Sequence, residues 1–215
     1  MIQTGDIVLF QGDSITDCGR DRANGEPNHS EALGRGYAFH AAAGLLADHP
    51  DKRLQIFNRG ISGDKVTDLA LRWENDTLEL RPRVLSVLIG VNDTWHGTGK
   101  GNPAAGVPLD EYAGTYHRLL TEAVDTLPGV RLVLGEPFVL PCGAVTEAWL
   151  PEMRKRQAVV RQLAAELGAA FVPYQSLFDE ACEKAGPAYW AHDGVHPTPA
   201  GHELMARAWR EAVEA

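Results

Sequence analysis

Cysteine is scarce in this 215-residue chain: Cys18, Cys142 and Cys182 are the only three. They are odd in number, far apart and form no CxxC pair, so neither a disulfide framework nor a thiolate metal site is implied. Long apolar runs are missing as well. No stretch approaches the roughly 20 apolar residues of a membrane-spanning helix, and residues 1–9 lack the basic patch and apolar run of a leader. The expectation is a cytoplasmic protein. Positive charge is in short supply: 20 Lys and Arg against 29 Asp and Glu give a net charge of −9. Such a surface repels phosphate backbones and anionic membranes, and no Lys/Arg-rich run overrides the mean. Neither nucleic acid nor a membrane is an expected partner, and a neutral small molecule fits better. The phosphate-cradling patterns GxxxxGK[ST] and GxGxxG after the first strand are both absent. Also absent is GxSxG, because Thr16 stands where its second glycine would be, which disfavours the α/β-hydrolase superfamily.

What is present describes a soluble globular protein, 44% hydrophobic and 23% charged. Its length suits one core, giving a single domain over residues 1–215. Five short aliphatic runs, at 6–10, 54–58, 84–89, 130–134 and 170–172, are bounded by Gly, Pro or charged residues. They are nearly continuous instead of alternating, the pattern of parallel strands covered on both faces. Segments with helical spacing lie at 37–47, 65–80, 109–126, 146–167 and 198–213. The alternation predicts a flavodoxin-like α/β/α sandwich on a five-stranded parallel sheet, with a site beyond the carboxyl ends of the strands. Two irregular stretches rich in Gly, Asn and Pro, 18–36 and 95–108, follow the first and third strands, where long loops are often functional.

Four short blocks fall at those strand ends. The first strand runs into Gly12-Asp13-Ser14, a serine just past a strand beside a glycine that permits a tight turn. Near the C-terminus, Asp193-Gly194-Val195-His196 sets a carboxylate three residues before an imidazole. A serine nucleophile needs a base for its proton, and the base needs a carboxylate to fix its tautomer and stabilise the imidazolium. His196 and Asp193 supply both roles. The plainer alternative makes Asp193 a helix cap and His196 a surface residue. The third strand leads to Gly90-Val91-Asn92-Asp93, where the Asn92 amide can donate to a developing oxyanion. The second leads to Asn58-Arg59-Gly60-Ile61-Ser62-Gly63-Asp64, in which Gly63 offers a free N–H at a helix start and Asp64 is a candidate cap. In isolation both fragments also read as ordinary βα turns.

Taken together, Gly-Asp-Ser, Gly63, Gly-x-Asn-Asp and Asp-x-x-His resemble the four blocks of the SGNH (GDSL-type) hydrolase superfamily, in order and spanning residues 12–196. The resemblance implies Ser14 as nucleophile, His196 as base and Asp193 as its orienting acid, with Ser14 N–H, Gly63 N–H and the Asn92 amide as the oxyanion hole. Further runs, Gly12–Gly19, Leu33-Gly34-Arg35-Gly36-Tyr37, Arg59–Gly63, Arg72-Trp73 and Asn92–Trp95, look like intracellular bacterial acetylxylan esterases. That likeness implies removal of acetyl groups from xylo-oligosaccharides, no cofactor, and a homo-oligomer. Trp95 and Trp190 flank two of the blocks and are candidates for a flat wall against a sugar ring, with core packing as the alternative. His192, His196, His202 and Asp193 carry zinc-ligand chemistry, but a metal would leave Ser14, Gly63 and Asn92 unexplained, so no metal is expected. Two other functions stay open at this level: a lipase, thioesterase or arylesterase of the same superfamily, and a non-catalytic flavodoxin-like module that binds a small ligand.

Overall fold

The computed structural model describes residues 2–214; Met1 and Ala215, the ends of the expected domain, lie outside the described residues. Five parallel strands, β1 (Ile7–Gly12), β2 (Gln55–Asn58), β3 (Val84–Leu88), β4 (Arg131–Gly135) and β5 (Ala170–Val172), form one sheet in the order β2-β1-β3-β4-β5. All five expected strands are found, the fifth with the expected bounds and the others with ends shifted by a residue or two. β1 runs on to Gly12 because Gln11 and Gly12 stay in register with Val87 and Leu88 of β3.

Alternate side chains of each strand serve two separate cores. Val8 and Phe10 of β1, Val84 and Leu88 of β3 and Val133 of β4 point to one face. There they meet α3 (Tyr37–Asp48), α8 (Tyr174–Cys182) and α10 (Pro199–Glu214). Leu9, Leu85, Val87, Leu132 and Leu134 point to the other, against α4 (Val66–Leu71), α6 (Leu109–Thr126) and α7 (Trp149–Leu167). Since both faces are covered, the strands need apolar residues at every position, and β3 is buried throughout. Its one polar side chain, Ser86, accepts a hydrogen bond from the Trp209 indole at 2.9 Å, and Trp209 packs on Phe10 with ring centroids 4.6 Å apart. The strand order reverses direction between β1 and β3, which opens a crevice at their carboxyl ends.

Several expectations about helices are corrected. The segment 65–80 is not one helix: α4 stops at Leu71, and a π-helical turn, Glu74–Leu78, follows. The break has a cause in the strand beneath it, because the buried Gln11 amide donates to the Asp76 carbonyl and to Thr77 Oγ1, each at 2.8 Å. α7 begins at Trp149, three residues later than expected. The irregular stretch 18–36 contains α2 (Ser30–Leu33), and 95–108 contains a π-helical turn, Trp95–Gly99, that continues α5 (Val91–Thr94), and a 3-10 turn, Pro103–Ala105. α8 and α9 (Pro187–Trp190) were not expected, although Tyr174, Phe178 and Ala181 carry the helical spacing of α8 and are buried. No described helix is long and apolar enough to cross a membrane.

His202 ties α10 to α3. Its Nδ1 accepts the Tyr37 N–H at 3.0 Å and its Nε2 faces Cys18 Sγ at 3.3 Å. Burial, helped by the positive charge available to His40 and His196, pulls its pKa down to about 4. A buried neutral histidine takes up its proton more readily when unfolded, so its contribution is intact above about pH 6.5 and is lost as pH falls towards 4. Denaturant unfolding between pH 7 and 4.5 should therefore show declining stability, with a shallower decline in His202→Gln.

Candidate active site

Ser14 is the first residue of α1 (Ser14–Asp17), a single turn begun immediately after β1. Asp13 starts that turn, its Oδ1 accepting the Ile15 N–H at 3.0 Å. At Gly12 the chain passes so close to β3 that a Cβ would collide with the Leu88 carbonyl oxygen, and φ is +155°, so glycine is required on both counts. Asp13 is fully enclosed. Burial raises its carboxyl to about 7, opposed by the Ile15 N–H and reinforced by the charges of Asp93 and Asp64.

The serine and the distant histidine meet. Ser14 Oγ lies 2.8 Å from His196 Nε2, and His196 Nδ1 lies 2.6 Å from Asp193 Oδ2. Asp193 Oδ1 accepts the backbone N–H groups of Val195 and His196, at 2.9 and 2.7 Å, which fixes the carboxylate within its own turn. Burial would raise the Asp193 carboxyl, but the hydrogen bonds from His196 and Val195 hold it below the usual carboxylate range. An ionised Asp193 accepts from Nδ1–H and leaves Nε2 to accept the Ser14 hydroxyl proton. The Asp193 turn is itself braced by the segment after β4: Leu140 N–H donates to Gly194 O and Ala144 N–H to Asp193 O, at 2.8 and 2.9 Å. Asp193 therefore acts within a braced turn and does not cap α10.

Gly63 and Asn92 stand on the other side of Ser14, and with Ser62, Trp95, His96, Lys100 and His196 they line a cleft of about 360 Å³. Gly63 has φ +92°, a conformation that side chains rarely adopt. Asn92 is buried, and its Nδ2 donates to the Asp64 carbonyl at 3.1 Å. That bond uses one amide hydrogen and orients the other. Beneath it, Asp93 is buried with Oδ1 accepting from Val66 N–H at 3.1 Å; burial raises it to about 6 against the pull of that N–H and of Arg156.

The expected cap at Asp64 is corrected. α4 is instead closed by Asp68, whose Oδ2 accepts the Lys65 N–H at 3.0 Å. The Asp64 carboxylate faces Arg72, a residue whose role the sequence did not reveal. The Arg72 guanidinium donates to Asp64 Oδ2 and Gln11 Oε1, each at 2.7 Å, and to the carbonyls of Arg59 and Gly12, at 2.7 and 3.1 Å. One cation thus joins the end of β1, the turn after β2 and the Gly63 loop. Asp17 makes a second tie, accepting from Ser62 N and Ser62 Oγ at 2.9 and 3.0 Å and pairing with Arg22.

The two candidate tryptophans part company. Trp95 lines the cleft, its ring centroid 5.6 Å from that of His196 and 5.3 Å from that of the buried Trp149. Trp190 is not among the cleft-lining residues; its indole N–H donates to Ala181 O and Ala185 O at 3.1 Å, and its ring packs on Tyr189. His202 is likewise turned to Tyr37 and Cys18, and among the described residues no three His, Cys, Asp or Glu side chains are grouped to hold a metal ion. Ser62, His96 and Lys100 are cleft residues that were not singled out in the sequence; Ser62 lies within the Gly63 block and His96 adjoins Trp95, a proximity that could have suggested them.

Sheet order, the Ser14–His196–Asp193 chain of contacts and the flanking Gly63 and Asn92 together define the SGNH class of serine hydrolase. The model of the GDSL-like Lipase/Acylhydrolase family matches residues 10–204. This chain belongs to that family, and is accordingly a carboxylic ester hydrolase. It is 38% identical to an acetylxylan esterase of Geobacillus stearothermophilus over 99% of this chain and 95% of that protein. Crystal structures of the Geobacillus acetylxylan esterase superpose with a TM-score of 0.91 at 36% identity, covering 100% of this chain and 96% of that one. A putative GDSL-like lipase from Parabacteroides merdae gives a TM-score of 0.94 at 43% identity, covering 100% and 98%.

Removing Arg72 strands a half-buried carboxylate and two carbonyls. Arg72→Met should lower unfolding free energy by about 3–5 kcal/mol, as expected when one member of a desolvated ion pair is deleted, measurable by urea denaturation.

Proposed function

We propose that this enzyme hydrolyses acetyl esters of carbohydrates, acetylated xylo-oligosaccharides foremost, through an acetyl-enzyme on Ser14. The observation that carries the substrate reading is the cleft lining, in which Trp95 is the one large apolar side chain among Ser14, Ser62, Gly63, Asn92, His96, Lys100 and His196. A short acyl group and a polar alcohol suit such a lining; a long alkyl chain would find little apolar surface to cover it. The likeness to an acetylxylan esterase supports the same reading.

The steps follow from the contacts. Ser14 Oγ attacks the acetyl carbonyl carbon as its proton passes to His196 Nε2, 2.8 Å away. The imidazolium is stabilised by Asp193. The carbonyl oxygen, now negative, is received by the N–H groups of Ser14 and Gly63 and by the free hydrogen of Asn92 Nδ2, donors already held in place before reaction. His196 then protonates the departing sugar oxygen, leaving acetyl-Ser14. A water molecule, deprotonated by His196, attacks that ester; acetate leaves and the proton returns to Ser14 Oγ. Trp95 offers a face on which the sugar ring can pack.

Action in the cytoplasm on imported oligosaccharides, and assembly into a homo-oligomer, belong to this proposal and rest on the resemblance to the intracellular acetylxylan esterases. Acetate release from peracetylated xylose should be abolished in Ser14→Ala, and turnover of a long-chain nitrophenyl ester should be much the slower of the two in the wild type. Asn92→Ala should lower kcat about 10²- to 10³-fold with a smaller change in KM, because the lost hydrogen bond matters most once the oxyanion forms. Faster turnover of the long-chain ester would reassign the enzyme to the lipases of its family.

A further inference from the structure

The cleft carries a charge opposite to that of the chain. With a net charge of −9 the surface as a whole repels anions. Yet Lys100, His96 and His196 line the cleft, and no carboxylate does. The chain has no Asp or Glu between Asp93 and Asp110, so the whole segment that forms this wall is free of acid. Asp93 itself is buried and engaged with Val66 N–H.

Lys100 is held where it stands by its backbone: its N–H donates to the Trp95 carbonyl at 2.9 Å, closing the π-helical turn Trp95–Gly99 that also presents the Trp95 ring. Two lysines, Lys65 and Lys155, are paired with Asp68 and Glu152, whereas Lys52 and Lys184, both outside the cleft lining, have no ion-pair partner among the described residues. Lys100 has no such partner among the described residues. Its charge reaches into the site, for the imidazole of His96 is held below the usual histidine range by burial first and then by Lys100 and Lys65, against the opposing charge of Asp68. Lys100 is the one lysine or arginine among the cleft-lining residues.

Depth separates its role from that of the oxyanion donors. Asn92 is 5% exposed, whereas Lys100 lines the same cleft and is exposed. We infer that Lys100 determines specificity for the alcohol half of the substrate, favouring acetyl esters of sugars that bear a carboxylate, such as uronic acid residues, over neutral ones. This rests on the sugar-ester reading above and deepens it. Neutral acetylated sugars remain substrates; a uronate near the ester gains an ion pair with a cation that has no competing partner among the described residues.

The test uses a matched pair, acetylated methyl glucoside and acetylated methyl glucuronoside, which differ at one carbon. The ratio of kcat/KM, charged over neutral, is measured for wild type, Lys100→Met and Lys100→Arg. Wild type should show a ratio about 1.4- to fivefold above that of Lys100→Met, the range of one solvent-exposed ion pair. The difference should reside mainly in KM and shrink as salt is raised from about 0.02 to about 0.5 M. Lys100→Arg should retain the preference. An unchanged ratio in Lys100→Met, or an equal loss on both sugars, would overturn the inference while leaving the sugar-ester reading intact. Wild-type turnover of simple nitrophenyl acetate with none of either sugar would overturn that reading, and this inference with it.

Discussion

The site depends on the contact between the ends of β1 and β3. Gly12 lies against the Leu88 carbonyl so closely that no side chain fits between them, and this pairing is the last rung of the parallel ladder that starts at Val8 and Val84. Because the two strands are adjacent although a whole crossover separates them in sequence, Ser14 and Asn92 emerge side by side at the point where the strand order reverses. The third component, Gly63, follows β2 on the far side of β1. It is drawn in by Arg72, which grips Gly12 O, Arg59 O and the Asp64 carboxylate together. Ser14 thus shares a cleft with Gly63 and Asn92, while His196 is brought to its hydroxyl from the C-terminal turn.

Electrostatics at the site divide by depth. At the innermost level, Asp13 and Asp93 are buried, and burial raises their carboxyls to about 7 and about 6. At the level of the base, Asp193 stays ionised because backbone N–H groups and His196 hold it so. At the mouth, Lys100 provides a positive charge in an acidic protein. In the proposed mechanism the ionised Asp193 steadies the imidazolium of His196, and the exposed Lys100 is the proposed determinant for the alcohol.

Much of this was legible in the sequence because it depends on local rules. Strands covered on both faces must be apolar throughout, so β1, β3 and β4 announce themselves. Ser14 and Asn92 just past β1 and β3, and Asp193 and His196 in the turn after α9, form short blocks whose order carries the family resemblance. What was not legible depends on long-range contacts. Arg72 looks like any helix-surface arginine until Gly12 and Arg59 are beside it, and the π-helical turn at Glu74–Leu78 is set by Gln11 reaching up from the sheet. Asp64 has the sequence of a cap but spends its carboxylate on Arg72. Trp190 is as close to a catalytic block in sequence as Trp95 is, yet its indole N–H is taken by the end of α8 and the turn that follows. Flanking position alone does not distinguish the two.

The central claim is that the acyl group passes through Ser14 under the control of His196 and Asp193. The most direct measurement is rapid acid quench of the enzyme during turnover of nitrophenyl acetate, followed by mass spectrometry of its peptides. One acetyl group on the peptide containing Ser14, accumulating within the first turnover and lost as free acetate is released, is the predicted result. Sustained turnover with that peptide unmodified, or with the acetyl group on Cys18 or another side chain, would contradict it.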